Sequence, residues 1–254
     1  MRTLPAGYTE IFTARGSHYN RAMRLCPAAR ETERRLLIDR LELRRGDLVC
    51  DVPAGGGYVG EGIEARGLGA AVVCVEPAAA FARGIARHFR RVVSALDHIA
   101  LEEASVDRVA SLAGLHHLHS KAAFFGEAHR ILRPEGRFAV ADVREGSDVA
   151  RFLNGSVNRL SVTGHAGEFL AHGELAALLT AAGFRDIEER EHQYSWAFPD
   201  LDVLIVYFRE LFGLVGASDH EVRAAVTADL DVHVSTEAVL VSWSLVYAAG
   251  SKSA

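Results

Sequence analysis

A short apolar strand that runs straight into a glycine loop is the feature that most restricts the fold of this chain. Residues Leu48 to Val52 have strand character, and Pro53-Ala54-Gly55-Gly56-Gly57 follows at once. A helical stretch then begins at about Tyr58. Glycines let the backbone turn sharply and approach a ligand closely, while the first N–H groups of a helix are free to bind it. The order of strand, glycine loop and helix is typical of an α/β domain with a ligand crevice.

The rest of the chain continues this alternation. Further apolar strands are predicted at 71–75, 91–94, 107–112 and 137–143, separated by helical patterns at 79–90 and 121–132. A helix at 173–182, a sixth strand within 184–196, a helical pair at 199–231 and a final strand within 238–249 follow. We therefore expect a doubly wound, Rossmann-like sheet of seven mostly parallel strands with helices on both faces, and a core from about 43 to 191.

An acidic residue closes the second predicted strand. Glu76 lies 19 positions after Gly57 and is followed by Pro77. A carboxylate at about this distance from a glycine loop can accept both hydroxyls of a ribose. The loop and Glu76 together predict a nucleoside site at the carboxyl ends of the strands.

Several further segments, in order, make the pattern specific. Ser105-Val106-Asp107-Arg108-Val109 enters the fourth strand, Leu115-His116-His117-Leu118 follows it, and Glu127 precedes the run from Arg130 to Arg137. With the loop, these segments resemble the Rossmann-like methyltransferases that use S-adenosylmethionine, most closely the methyltransferase type 11 group that includes the ubiquinone and menaquinone biosynthesis enzymes. The resemblance covers about residues 45–145. It implies one methyltransferase domain, with an N-terminal cover (1–44), a cofactor-binding core (45–145) and substrate-side segments (146–254).

The resemblance also implies where the cofactor lies. Asp51, Gly55 and Gly57 are expected at its methionine end, Glu76 at its ribose, and Leu96, Asp97 and His98 beside its adenine. The full set of implied cofactor contacts is Asp51, Pro53, Ala54, Gly55, Gly57, Glu76, Pro77, Leu96, Asp97, His98, Ala113 and Leu115. The chain has Pro53 where the family usually has glycine, and proline removes a backbone N–H from the loop.

Histidines supply the candidate catalytic groups. His116, His117 and His119 follow the fourth strand, where a histidine could accept a proton from an acceptor hydroxyl or amine near neutral pH. His18 and Tyr19 lie in the segment 8–23, which resembles the family's cover over the active site. The alternative role is packing and loop shape for the histidines after the fourth strand, and surface or capping contacts for His18 and Tyr19. His165 is a further candidate at the edge of the substrate cavity.

Two other groups of residues are open to interpretation. Glu191-His192 and Asp231-Val232-His233 have no third partner at metal-ligand spacing, so we expect no metal centre. An aromatic set consisting of Trp196, Phe198, Tyr207, Phe208 and Phe212 could form core or wall an apolar substrate pocket.

Composition limits the partners. The net charge of −5 argues against a nucleic-acid substrate, because phosphate contacts need clustered Lys and Arg, and it favours a small neutral or cationic ligand. No signal peptide or membrane anchor is recognisable, so we expect a cytoplasmic protein without a membrane partner. The 199–231 helices are either a lid or a contact surface, which leaves a homodimer open.

The expected function is transfer of a methyl group from S-adenosylmethionine, which becomes S-adenosylhomocysteine, to an O, N or C nucleophile of a small molecule. One alternative is a non-catalytic protein that binds the cofactor or regulates an active enzyme. A nicotinamide-dependent oxidoreductase uses the same turn and acid, but the chain has no Tyr-x-x-x-Lys pair.

Overall fold

The computed structural model of the chain describes residues 7–118 and 120–254, so His119 lies outside the described residues. A central sheet carries five parallel strands: β1 (Leu48–Asp51), β2 (Ala71–Val75), β3 (Arg90–Val92), β4 (Val106–Leu112) and β5 (Leu132–Asp142). Two strands extend it beyond β5: β8 (Val239–Ser251) runs antiparallel to β5, and β6 (Arg185–Phe198) pairs antiparallel with β8 and so runs in the direction of β5. The order β3-β2-β1-β4-β5-β8-β6 confirms the Rossmann-like α/β expectation of seven principal strands.

An eighth strand, β7 (Val232–Val234), was not expected. It pairs with Val239–Val241 at the start of β8, whereas β5 pairs with the later part of β8, from Val246 onward. Because β6 occupies the other edge of β8, β7 supplies partners for backbone groups that β5 does not reach.

Helices cover both faces of the sheet, as predicted. Successive residues of the central strands point to opposite sides, so Val49 belongs to one apolar cluster and Cys50 to the other. The helices are α1 (Tyr8–Leu25), α2 (Glu31–Asp39), α3 (Tyr58–Glu64), α4 (Lys121–Ile131), α5 (Asp148–Phe152), α6 (Asn158–Leu160), α7 (Glu174–Ala181), α8 (Leu201–Phe212) and α9 (Asp219–Asp229). Across the described ranges, no helix has the length and apolar character needed to cross a membrane.

The helix predicted at 79–90 is wrong. The structure has only a short 3-10 turn at Phe81–Gly84, followed by extended backbone at Ile85. Here α1 approaches closely: Nδ2 of Asn20 donates to the Phe81 carbonyl at 3.1 Å, and the Asn20 side chain fills the space where a Cβ of residue 84 would lie. This tertiary contact overrides local helix propensity.

The predicted helical pair at 199–231 is present as α8 and α9. Its apolar side chains, including Leu204, Phe208 and Leu211, are buried within the chain, and α8 packs against α1. The buried face therefore serves the internal packing of the N-terminal cover, and a homodimer through these helices stays a prediction.

Candidate active site

The loop between β1 and α3 lies at the carboxyl ends of β1 and β4, where the strand order reverses and ligands of α/β sheets bind. Gly55 and Gly57 have φ values of +55° and +94°, which favour glycine. Gly57 is the N-cap of α3, and the Ala54 N–H donates to the Val75 carbonyl at 2.9 Å. The loop is thereby fixed against β2 with its glycines facing the crevice.

Glu76 lies beside this loop with its carboxylate buried. Its Oε2 accepts hydrogen bonds from the Gly55 N–H and the Tyr8 hydroxyl, each at 2.8 Å, and its Oε1 accepts one from the Ala78 N–H at 2.9 Å. Burial raises the pKa of Glu76 to about 7, although the three hydrogen bonds favour the ionised form. The Tyr8 hydroxyl thus donates to Oε2 of Glu76, the atom that would accept a hydrogen bond from a ribose hydroxyl.

Asp51, the last residue of β1, is fully buried and only half satisfied. Its Oδ2 accepts the Gly60 N–H at 3.1 Å, but its Oδ1 has no hydrogen-bond partner among the described residues. Burial raises the pKa of Asp51 to about 8, and the nearby Glu76 carboxylate raises it further. An unpartnered buried oxygen at the crevice suits a ligand that donates hydrogen bonds, such as an ammonium group.

Two cavities flank the bond between Tyr8 and Glu76. The outer cavity, of about 310 Å³, is lined by Tyr8, Pro77, Leu96 and Asp97 among others, and the inner cavity, of about 50 Å³, lies over Pro53 to Gly56. Ligand pockets usually have about 300–1,000 Å³. The outer cavity has room for a base, whereas the inner one is nearly filled.

The Phe81 side chain is what fills the inner cavity. A Cβ at residue 55 would lie 2.8 Å from Cζ of Phe81, and the Phe81 ring stacks on Phe12 of α1 with ring centroids 4.9 Å apart. In this conformation α1 and the 3-10 turn together close the crevice over the glycine loop. A ligand along the loop therefore requires the Phe81 ring to move.

His116 is held at the end of β4 by the last residue of β5. Its Nδ1 lies 2.6 Å from Oδ1 of Asp142, which also accepts the Val143 N–H at 2.6 Å, while Oδ2 accepts the Leu115 N–H at 2.6 Å. A carboxylate only accepts hydrogen bonds, so this contact requires a proton on Nδ1 of His116. Asp142 thereby fixes the orientation of the His116 ring.

A third cavity, of about 60 Å³, adjoins the inner one and is here called the aromatic cavity. Phe12, Trp196, Phe212 and Trp243 contribute apolar walls, and His116 lies at its edge. The inner and aromatic cavities share Phe12, Tyr19, Arg30 and Ala113. Two ligands placed in these spaces would therefore meet at a common wall.

Comparison with known proteins relates part of the chain to a family. Residues 50–140 match the family model of a methyltransferase domain. This stretch holds the end of β1, the glycine loop, Glu76 and the strands β2 to β4. A malonyl-[acyl-carrier protein] O-methyltransferase from Geobacter sulfurreducens is 27% identical over 167 residues, which is 62% of this chain and 62% of that protein. The chain thus matches less than two thirds of the length of this curated relative.

Solved structures agree with this methyltransferase fold. An S-adenosylmethionine-dependent methyltransferase from Thermotoga maritima superimposes with a TM-score of 0.64 at 17% identity, covering 96% of this chain and 99% of the other. A phosphoethanolamine N-methyltransferase from Haemonchus contortus, crystallised with phosphomonomethylethanolamine and S-adenosylhomocysteine, gives 0.65 at 14% identity, covering 98% and 61%.

Eleven of the twelve predicted cofactor contacts fall into three groups, and His98 lies outside them. Pro53, Ala54, Gly55 and Ala113 line the inner cavity, and Pro77, Leu96 and Asp97 line the outer one. Asp51, Glu76, Gly57 and Leu115 lie in or beneath the adjoining backbone, with Asp51, Glu76 and Leu115 fully buried. His98 is exposed and lines neither of these two cavities.

Pro53, the departure from the family pattern, follows a cis peptide bond and packs against Gly114, where a Cβ would lie 2.5 Å from its Cγ.

The candidate catalytic residues also differ in which cavity they line. His116 and His117 line the aromatic cavity, and His117 also reaches the outer one. Tyr19 lines both the inner and the aromatic cavities, whereas His18 points to α8, where its Nδ1 lies 2.8 Å from Oε2 of Glu210. His165 joins His116 and His117 at the aromatic cavity, as its predicted position at the substrate side implies.

The three histidines also form the single group in residues 7–118 and 120–254 whose geometry could hold a metal ion, with ligand atoms within 4.8 Å of one another. No carboxylate belongs to the group. Burial lowers the pKa of His165 to about 2 and that of His117 well below its usual value, and the positive charge of Arg15 lowers both further. The same charge would repel a divalent cation bound to this group.

Three residues that shape the site were not predicted individually: Tyr8, Phe81 and Asp142. Tyr8 lies within the cover segment predicted at 8–23, but the sequence does not indicate that it bonds Glu76. Asp142 is the second-last residue of the strand predicted at 137–143, and an acid near the carboxyl end of a strand was the available signal. Phe81 was assigned to a helix, so its position over Gly55 could not be foreseen.

Proposed function

We propose that this chain transfers a methyl group from S-adenosylmethionine to an oxygen, nitrogen or carbon atom of a small organic molecule. The observation that carries the proposal is the partly unsatisfied acid pair, Asp51 and Glu76, beside a glycine loop inside the stretch that matches a methyltransferase domain. The bound cofactor supplies an electrophilic methyl group on a sulfonium ion.

The residues at the crevice fit this cofactor chemically. Asp51 has a free Oδ1 for the ammonium group of the methionine part, Glu76 can accept ribose hydroxyls once Tyr8 releases it, and the outer cavity offers apolar contacts from Pro77 and Leu96 for adenine. Opening the inner cavity requires Phe81 to leave Gly55.

On the acceptor side, the chain contributes position and a base. The aromatic cavity adjoins the cofactor crevice, so an acceptor held there lies next to the methyl donor and needs no covalent attachment to the protein. His116, oriented by Asp142, takes the acceptor proton through Nε2. Tyr19 and Arg30 belong to the common wall and limit the acceptor's orientation.

Calorimetry with S-adenosylhomocysteine tests the cofactor site. We expect the wild-type chain to bind it and Glu76→Gln to bind it about 10- to 100-fold more weakly, because charge-assisted hydrogen bonds are lost. Glu64→Gln, which changes an exposed carboxylate on α3, is the matched control and should bind like wild type. Failure of the wild-type chain to bind would refute the proposal.

A turnover assay distinguishes an enzyme from a non-catalytic cofactor-binding protein. The small inner cavity favours that alternative. With methyl-labelled cofactor and a metabolite extract, we expect wild type to form a labelled small molecule and S-adenosylhomocysteine. His116→Gln should slow this about 10²- to 10⁴-fold while still binding S-adenosylhomocysteine. Cofactor binding without any labelled product would instead support the non-catalytic alternative.

A further inference from the structure

Arg15 of α1 is a buried cation without a counter-charge. Its side chain is 3% exposed, and Nη2 donates to the Leu211 carbonyl at 3.2 Å. Nε and Nη1 have no hydrogen-bond partner within the described part of the chain. Burial lowers the pKa of Arg15 to about 10, which still leaves the guanidinium charged near neutral pH. Burying a charged group with two unpartnered nitrogens costs folding free energy unless a ligand supplies the missing hydrogen-bond partners.

Arg15 lies at the aromatic cavity, and no acidic side chain lines that cavity in the residues that the structure describes. The second arginine there, Arg30, is already neutralised by the buried Glu33, which accepts its Nε at 3.0 Å. Glu33 is further bonded by Trp196 Nε1 at 3.0 Å. Three histidines and the Tyr19 hydroxyl complete the polar lining, and one of those histidines, His116, is paired with Asp142. Arg15 is therefore the arginine of this lining that has no acidic partner among the described residues.

The position of Arg15 is fixed by its surroundings. Its aliphatic stem crosses Gly213, the left-handed C-cap of α8, where a Cβ would lie 3.0 Å from Cγ of Arg15. Its guanidinium carbon lies 5.7 Å from the centre of the Phe12 ring. These contacts hold the charge in place before any ligand binds, and such preorganisation favours recognition.

We infer that the methyl acceptor carries a carboxylate on an aromatic or otherwise apolar body, and that Arg15 binds this carboxylate. The inference rests on the proposed function and specifies the acceptor's chemical class. The cavity, of about 60 Å³ in this conformation, must enlarge to admit the body; apolar walls including Trp196, Phe212 and Trp243 then surround it, and Arg15 completes its hydrogen bonds with the acid. A cationic acceptor, which the net charge of the chain favoured, is repelled here.

The carboxylate serves as a handle and is not the methylated atom. Arg15 lines the aromatic cavity but not the inner one, whereas Phe12, Tyr19, Arg30 and Ala113 line both. An acid bound at Arg15 therefore lies in the aromatic cavity and outside the inner one. The methylated atom is at the other end of the molecule, next to the crevice.

Tryptophan fluorescence can test this directly, because the two tryptophans of the chain, Trp196 and Trp243, both line the aromatic cavity. The protein saturated with S-adenosylhomocysteine is titrated with benzoate, benzamide and benzylamine, three similarly sized probes that differ in charge. We expect benzoate to change the emission with at least about 10-fold higher affinity than the neutral or cationic probe. Equal affinity for all three probes overturns the inference without any substitution.

Substitution adds a second, independent arm. Arg15→Gln should weaken benzoate binding about 10- to 100-fold and leave benzamide nearly unchanged. Arg21→Gln is the matched control: it lies on the same helix, is exposed and bonds Glu210 instead, so it should bind benzoate like wild type. Unchanged benzoate affinity in Arg15→Gln contradicts the inference.

Calorimetry keeps the two proposals apart. Arg15→Gln should bind S-adenosylhomocysteine like wild type, because Arg15 does not line the inner or outer cavity. Loss of benzoate selectivity with intact cofactor binding overturns only the acceptor assignment. If wild type fails to bind S-adenosylhomocysteine, the proposed function falls, and the benzoate titration of the cofactor-free protein still decides whether Arg15 forms an anion site.

Discussion

Three buried ionisable side chains are the main structural support for the proposed ligand sites. The side chains of Asp51, Glu76 and Arg15 are all buried. Asp51 and Arg15 have polar atoms without a hydrogen-bond partner among the described residues, and Glu76 accepts a hydrogen bond from Tyr8 that a ligand can replace. Burying such groups opposes folding, so their presence around the adjoining inner and aromatic cavities supports the proposal that these cavities bind ligands.

Asp51 gives a pH dependence of stability with a defined sign. Its pKa rises from an ordinary value of 3.8 to about 8 on folding, so the native state binds its proton more tightly than the unfolded state. The free energy of unfolding therefore falls as pH rises between about 4 and 8, by at most about 1.4 kcal/mol per pH unit for this one group. Asp51→Asn should flatten that slope, as measured by urea denaturation at several pH values.

The control for this series is Glu237→Gln, which removes an exposed carboxylate near β8. It should keep the wild-type slope. If Asp51→Asn keeps the same slope too, the Asp51 carboxyl group is not protonated preferentially in the folded protein.

Sequence patterns identified some of these residues and not others for a physical reason. Gly55, Gly57 and Glu76 were predicted because a tight loop and an acid at a fixed distance are local features of one chain segment. Arg15 and Phe81 reach the site from separate segments, and their roles depend on which neighbours lie beside them in three dimensions. No spacing within the sequence carries that information.

Among the secondary-structure elements, the central parallel strands depend on local sequence and were predicted, whereas the turn at Phe81 depends on contacts with another segment and was not. The second strand was predicted with its observed limits, because a buried parallel strand is a continuous apolar run. The helix expected at 79–90 is instead a 3-10 turn whose Phe81 ring lies between α1 and the glycine loop. Contacts with α1 determine the conformation of this turn, and the helix propensity of residues 79–90 does not reveal those contacts.

This arrangement predicts that Phe81 opposes cofactor entry. In Phe81→Ala the ring no longer fills the inner cavity, so S-adenosylhomocysteine binds without first displacing it. We expect the association rate in stopped-flow experiments to rise about 10-fold or more, since open minor conformations usually have populations of about 0.1–10%. Slower association in this variant would mean that Phe81 helps to bind the cofactor.

Phe89→Ala is the matched control for this experiment. Phe89 is also buried, but it packs beside Gly60 and does not line the inner cavity. Both substitutions remove a core phenylalanine and should destabilise the fold by about 3–5 kcal/mol. Only Phe81→Ala should accelerate binding.

For the molecule as a whole, α1 connects every part of the site. Tyr8 at its start reaches Glu76, Phe12 lies between the inner and aromatic cavities, and Arg15 faces the aromatic cavity, while the same helix packs on α8. The sheet beneath is bonded on both sides at β4, whereas α1 is fixed by side chains alone apart from its own helical hydrogen bonds. The cover can therefore open while the sheet stays intact.

Hydrogen exchange should reveal this difference in local stability. In the free protein we expect the α1 amides to exchange faster than those of β4, because opening the cover breaks few of the contacts that hold the sheet. S-adenosylhomocysteine should slow exchange in α1 by a larger factor than in β4, since the ligand stabilises only the closed cover over its own crevice. Equal slowing of both elements would show that α1 and the sheet unfold together, and the cover could then not act as the entrance to the crevice.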